Sequence, residues 1–257
     1  MTSPTLNHSA TAVNNGKLIE VKKLTKHFAG LTAVADVDFF TRKGEILGLI
    51  GPNGAGKTTI FNLISGFLAP SSGDIVYNGR SISGFKPPNL CRLGIARTFQ
   101  IVKPLTRMTV LENVMVGVFW RTKNPQKARE QALEILEFTG QIAKRDIKAS
   151  NLTLGDRKRL EISKALGTHP ELLLLDECMA GLNSKEISEA IDLIQRIRER
   201  GVTLIVIEHV MKAIMSVSDR IIVLNHGEKI MEGTPTEVAN DRQVIEAYLG
   251  EKYAQSI

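Results

Sequence analysis

Apolar residues along this chain gather in short unbroken runs, and helical spacing appears mainly between those runs. ILGLI before Gly51, LLLL before Asp176, TLIVI before Glu208 and RIIVLN before His226 are such runs. Each is bounded by glycine or polar residues, the pattern of a strand buried on both faces of a parallel sheet. Nearer the N-terminus LIEVKKL and TAVADVDFFT alternate apolar and polar positions, as half-buried strands do, with KHFAG read as the loop between them. Pro70-Ser71-Ser72-Gly73 is a turn, DIVYNG is a short strand closing in an Asn78-Gly79 hairpin, and Pro87-Pro88 marks a surface loop.

The helical segments announce themselves by caps. A helix starts near Gly56 and ends near Gly66. Thr109 and Glu112 form a capping box ahead of VMVGVFW. Asn124-Pro125 opens a helix whose apolar positions Ala128, Ala132, Ile135 and Leu136 share one face, and Gly140 closes it. Asn183 and Glu186 cap a helix from Ser184 to Arg200, with Ile187, Ile191, Ile194 and Ile197 lining one face and Gly201 stopping it. The tail from Thr234 to Tyr248 reads as helical. Strands alternating with helices predict an α/β fold with a parallel core, and the helical stretch from about 101 to 152 reads as a lobe inserted into it.

Composition changes this picture little. The 257 residues allow one large domain or a domain with an inserted lobe. Hydrophobic content of 43% and charged content of 23% are ordinary for a soluble protein. The net charge of +6 is interspersed with acidic residues, so it reads as a solvated surface and weak support for nucleic-acid binding. Cys91 and Cys178 stand alone, with no CxxC and no histidine cluster, which suits reduced thiols in a cytosolic protein. No apolar run approaches the roughly 18 residues that a spanning helix needs. Residues 1–16 lack a basic start and an apolar stretch, and are expected to be a disordered leader rather than a signal peptide.

The chemistry begins at Gly51-Pro52-Asn53-Gly54-Ala55-Gly56-Lys57-Thr58, which fits the phosphate-binding pattern G-x-x-x-x-G-K-[ST] at every fixed position. Three glycines let the backbone bend so that its N–H groups converge on an anion. The following helix, which includes Thr59, aims its positive dipole end at the same point. Lys57 is suited to the β- and γ-phosphates and the Thr58 hydroxyl to Mg²⁺. Chance glycine turns of this form arise in roughly one chain of this length in a hundred, and a strand before and a helix after make this a nucleotide site. Downstream, Asp176-Glu177 ends a leucine run, where a P-loop enzyme keeps its magnesium carboxylate and its water-activating base. An acid at a strand end often merely caps a helix, and a lone His209 or Gln100 is more often structural. The order of the motifs decides between these readings.

That order is a P-loop, Gln100, a helical lobe, LTLGDRKRLEISKAL, LLLLDE and then His209, and it resembles the ATP-binding-cassette (ABC) ATPases from Leu18 to Gly250. The resemblance implies a P-loop, ABC-type nucleotide-binding domain over about residues 17–253, with a parallel core sheet, an antiparallel β subdomain and an inserted helical lobe. Leu152-Thr153-Leu154-Gly155-Asp156 takes the place of the signature LSGGQ, so Thr153 and Gly155 are expected to contact the γ-phosphate held by a partner subunit. Gln100 takes the Q-loop position, His209 that of the switch histidine, Ala180-Gly181-Leu182-Asn183 the loop touching the opposite subunit, and Phe28 the aromatic that stacks on adenine. Thr58, Gln100 and Asp176 are the implied Mg²⁺ set, Glu177 the general base, and ATP the nucleotide. More narrowly, GLTAVADV, GIARTFQ, MTVLENVMVG, LGDRKRLEISKAL, AGLN and EAYLG look like the ATPase subunits of branched-chain amino acid importers; subunits serving urea, amides or lipopolysaccharide export share much of the pattern. The partners so implied are membrane permease subunits, a second identical or paralogous ATPase and, indirectly, a periplasmic binding protein. Nucleic acid is not among them, and the implied location is the cytoplasmic face of the inner membrane.

Three departures stand out. Cys178 follows Glu177 where the family usually has Pro, Met179 replaces a small residue, and Ser184 stands where Pro is common. Losing Pro removes a backbone restraint beside the base and adds an N–H, so lower rigidity is expected there without loss of chemistry. Leu154 replaces a glycine of the signature. A nucleic-acid-associated ABC protein would need a long coiled coil or two cassettes in one chain, and neither is present. A non-hydrolysing subunit is disfavoured by Lys57, Gln100, Glu177 and His209 together.

Overall fold

A computed structural model describes residues 16–249. The expected leader, apart from Gly16, and the residues from Gly250 onward lie outside the described part. Strand β1 (Lys17–Phe28) pairs antiparallel with β2 (Leu31–Arg42), and the register runs to His27↔Thr32 and Phe28↔Leu31. KHFAG is therefore not a loop, as the sequence reading had it. Ala29 takes a left-handed φ of 46°, so a turn at Ala29-Gly30 is enough to reverse the chain. β3 (Ile46–Ile50) leads to α1 (Lys57–Ile64), and β4 (Ser72–Tyr77) with β5 (Arg80–Ser81) forms the expected hairpin. Its two corner residues, Asn78 and Gly79, have φ of 48° and 78°, as a primed turn requires. These strands give an antiparallel sheet in the order β2-β1-β4-β5.

The Pro87-Pro88 loop is a second correction: both prolines open a short helix, α2 (Pro87–Arg92), where their missing N–H groups cost nothing. Then follow β6 (Ile95–Arg97), α3 (Val110–Val118) with its Thr109–Glu112 capping box, and α4 (Pro125–Phe138) capped by Asn124. α5 (Leu154–Leu166) is capped by the Thr153 hydroxyl, which accepts from the Asp156 amide. Next are β7 (Leu172–Asp176), α6 (Ser184–Glu199), β8 (Thr203–Ile207), α7 (Met211–Val217), β9 (Arg220–Asn225) and β10 (Glu228–Gly233). The helical tail is two helices, α8 (Pro235–Asn240) and α9 (Arg242–Leu249). They break at Asp241, whose extended backbone lets its carboxylate accept the Val244 amide at 3.0 Å.

The second sheet has the order β10-β9-β3-β8-β7-β6. It is parallel except for β10, an antiparallel edge strand that the apolar pattern did not signal. All residues of β3, β7 and β8 are buried, as their unbroken apolar runs predict. One apolar core, with Leu24, Phe61 and Leu224, joins this sheet to the antiparallel one. A second, with Val206, Met179 and Ile194, lies against its other residues. α6 is buried along Ala190, Leu193, Ile194 and Ile197; Ile187 and Ile191 are only partly covered, so its stripe is rotated from the expected row of isoleucines. A third core, with Val114, Leu136 and Leu160, is shared by α3, α4 and α5.

Arg220 on β9 ties the two sheets together. Its Nε donates to Glu45 Oε1 at 2.8 Å, its Nη2 donates to the Phe40 carbonyl of β2 at 2.6 Å, and it pairs with Glu232 of β10. Removing one partner of a buried pair leaves an uncompensated charge, which costs about 3–5 kcal/mol. Arg220→Met should lower unfolding free energy by about that amount in denaturant titration, and a loss below 1 kcal/mol would show that the clamp is not stabilising.

Candidate active site

The site is built where the buried strands end. Five residues of apolar β3 are followed by Gly51 at φ 150°, where an added Cβ would stand 2.2 Å from the Leu224 carbonyl, so only glycine lets the chain turn there. Gly54 and Gly56 also take positive φ, of 82° and 101°. α1 then begins with no side-chain cap on its first amides, which leaves those N–H groups available to an anion. Lys57 is buried, and its Nζ donates to the Gly51 and Pro52 carbonyls at 2.6 and 2.8 Å. Burial pulls this ammonium below the ordinary lysine range, opposed by the charges of Glu177 and Asp176.

A cleft of about 570 Å³ lies over this loop. Of the residues expected at the site, Phe28, Asn53, Gly54, Ala55, Gly56, Lys57, Thr58, Thr59, Gln100, Glu177 and His209 all line it. Phe28 is exposed at its rim, with the Lys26 ammonium 5.3 Å from its ring. Gly51 and Pro52 do not line the cleft; they serve as backbone acceptors for Lys57. Thr153 and Gly155 line a different cleft, beside Asp156 and Glu186. A single chain therefore does not bring the whole predicted set together.

Asp176 and Glu177 occupy unlike settings. Asp176 is the last residue of β7 and is buried, with Oδ2 accepting from Arg97 Nη2 at 2.8 Å and Oδ1 buried without a partner among the described residues. Burial pushes its carboxyl above the ordinary range, although Arg97 pulls the other way. Glu177 sits one residue on, at a left-handed φ of 49°. Gln100 Nε2 donates to its Oε2 at 2.8 Å, and His209 Nε2 stands 3.0 Å from its Oε1. Both flanking residues thus orient one carboxylate over the phosphate loop, the geometry of a base that aligns a water.

The turn after Glu177 lacks the proline restraint but is tethered by side chains from outside it. Lys158 Nζ donates to the Glu177 and Ala180 carbonyls at 2.7 and 2.6 Å, and the Met179 amide donates to Glu208 Oε1 at 2.6 Å. Buried Cys178 fills the place between. Sequence reading missed Arg97, Lys158 and Glu208. Arg97 also donates to Asn62 Oδ1 and Ser65 Oγ and lies over the rings of Phe61, Phe67 and Phe99. A charged residue at the end of an apolar strand run, or on the inner side of a helix, is the signal each of them carried. Tyr248 of the EAYLG stretch is partly buried against the core; burial pushes its phenol up to about 12, with the Gly51 backbone opposing.

Residues 34–180 match the profile described as ABC transporter, and residues 228–254 match one described as branched-chain amino acid ATP-binding cassette transporter. The chain is 43% identical over 250 residues to the high-affinity branched-chain amino acid transport ATP-binding protein LivG of Salmonella typhimurium, covering 91% of this chain and 98% of that one. It is 39% identical to BraF of Pseudomonas aeruginosa, which carries the same description, with the same coverage. Among solved structures, a nucleotide-free ATP-binding cassette from an ABC transporter superposes with a TM-score of 0.84 at 31% identity, over 91% of this chain and all of that one. A dimeric post-hydrolysis cassette bound to ADP and Pi gives 0.77 at 26% identity, over 84% of this chain and 98% of that one.

Gly51→Ala tests the loop. The Leu224 carbonyl leaves no room for the new methyl group, so the loop must open and its amides diverge. Affinity for a fluorescent ATP analogue should fall by about tenfold or more with the thermal transition retained, and unchanged affinity would mean that the phosphate cradle lies elsewhere.

Proposed function

The chain belongs to the ATP-binding-cassette ATPases of ABC transporters, and on that premise we propose that it powers import of branched-chain amino acids through a membrane permease. The observation that carries the catalytic part is Glu177, gripped by Gln100 and His209 above the phosphate loop. The branched-chain profile at residues 228–254 and the descriptions of LivG and BraF support the substrate over urea, amides or a lipid.

Each residue's role follows from its surroundings. The P-loop amides and Lys57 neutralise the phosphates, Thr59 extends the same helix end, and Phe28 offers the adenine a face at the rim. Phosphoryl transfer to water needs a positioned water and charge neutralisation. Glu177 accepts the proton of that water, and His209 orients Glu177 and the γ-phosphate. Asp176, Thr58 and Gln100 fit a hard cation: they offer oxygens, and Asp176 Oδ1 is buried with no other partner. A Mg²⁺ held by these residues would supply charge neutralisation for phosphoryl transfer. Among the described residues no cluster of three or more His, Cys, Asp and Glu side chains forms an all-protein metal cage, which suits an ion shared with the nucleotide.

Thr153 and Gly155 complete the site from a second subunit, identical or paralogous, so two ATP molecules are enclosed between two chains. No helix among the described residues is long and apolar enough to cross a membrane. In this reading the chain works docked on a permease, at the cytoplasmic face of the inner membrane. Phe67, Phe99 and Val116 are exposed in an apolar groove between the helices and the sheet, next to Gln100, and this is the docking surface that we assign.

Two experiments test this reading. Glu177→Gln keeps the shape of the base but removes its charge, and should lower ATP turnover by about 10²–10⁴-fold. In Mg-ATP that variant should elute as a dimer, alone or with its partner ATPase, return to monomer in ADP, and lose the effect when Lys57→Ala is added. Wild-type turnover would move the base elsewhere. In vesicles reconstituted with the permease, uptake of leucine, isoleucine or valine should require this chain and ATP; transport of urea or an amide alone would overturn the substrate and leave the ATPase standing.

A further inference from the structure

Lys158 is a buried lysine that the nucleotide cleft does not use. It lies on α5, about one turn beyond the Thr153–Gly155 start of that helix. Among the described residues its ammonium makes no ion pair. It reaches the carbonyls of Glu177 and Ala180, at 2.7 and 2.6 Å, and so spans the turn that carries the general base. Burying a charge is costly, and a methionine would fill comparable space at lower cost. What the charge adds is directional: two charge-assisted bonds to backbone oxygens hold the turn in one geometry. That matters because Glu177 sits at φ 49°, a conformation that persists in a non-glycine residue only where its surroundings hold it. Glu208, the residue before His209, pins the same turn from the other side through the Met179 amide.

We propose that Lys158 is a positioning residue that transmits occupancy of the opposite subunit's ATP site, through α5, to the backbone of this subunit's Glu177. The inference rests on the two-subunit reading above, in which the start of α5 touches the partner's ATP. When that contact forms, α5 is fixed, and Lys158 fixes the turn behind the base. When it is absent, α5 and the turn shift together. Two sites linked in this way respond to ATP cooperatively.

The test uses the full chain with its partner ATPase where one is needed, and compares wild type with Lys158→Met and Lys158→Arg. ATP turnover is measured against ATP concentration, and binding of a fluorescent ATP analogue is measured separately. Lys158→Met should lower kcat about tenfold, bring the Hill coefficient from about 2 toward about 1, and leave nucleotide affinity within about twofold. Lys158→Arg keeps a charged donor and should keep most of the cooperativity. If Lys158→Met fails to fold, Lys158→Gln, which keeps an amide donor, carries the same measurements and the same expected loss of cooperativity. An unchanged Hill coefficient in the folded Met or Gln variant overturns the assignment, whatever happens to kcat. A wild-type coefficient of one removes the two-site premise, and the assignment with it.

Discussion

Everything at this site depends on the parallel register of three adjacent strands. Leu49 of β3 lies beside Ile207 of β8, and Ile207 lies beside Asp176 of β7. The three strands therefore end within one residue of the same rung, and the residues that follow emerge together: the phosphate loop after β3, Glu208 and His209 after β8, and Glu177 after β7. A parallel sheet allows this because every strand points the same way, so all carboxyl ends share one edge. The register is held by burial on both faces, since a slip of one residue would carry apolar side chains out of both cores at once.

That packing creates the problem its charged residues resolve. Asp176, Arg97, Lys57, Lys158 and Glu208 are all at least half withdrawn from water, where charge is costly and every pairing is strengthened. Two of them carry unmet capacity. Asp176 Oδ1 and Glu208 Oε2 are buried without partners. Burial raises the affinity of both carboxyls for protons, although Arg97 opposes this at Asp176 and the Met179 amide opposes it at Glu208. A packed apolar edge would be more stable. The site keeps its charges because phosphate chemistry needs fixed dipoles and ions already aimed when the nucleotide arrives.

Much of this was legible in the chain because the signals are local. The glycines of Gly51–Gly56, the caps at Thr109, Asn124 and Asn183, and the four apolar strand runs each state their structure within a few residues. The errors came where a partner far away in sequence decides. His27 and Phe28 look like loop because alternation stops before them, yet Thr32 and Leu31 supply their pairing. Pro87 and Pro88 look like breakers until they stand in a first turn. The looseness expected from Cys178 ignored Lys158, 20 residues earlier, and Glu208, 30 residues later, because nothing in LLLLDECMAGLN names them. Arg97 was passed over in GIARTFQ for the same reason: its partner Asp176 lies 79 residues away.

The part of the site that a single chain leaves apart is itself tightly joined to the rest. A Cβ on Gly155 would stand 2.6 Å from Glu186 Oε1 and force that side chain to move, and Leu154 Cδ2 lies 3.2 Å from where a Cβ on Gly181 would be. Glu186 in turn closes the capping box with Asn183 at the start of α6. The first turn of α5, the Ala180–Asn183 loop and the first turn of α6 therefore interlock, and Lys158 joins them to Glu177 from beneath. Contacts this close permit few independent displacements, since a packed interior shifts as a unit or not at all. The start of α5 and the backbone of Glu177 thus form one packed body, and the role proposed for Lys158 depends on that continuity.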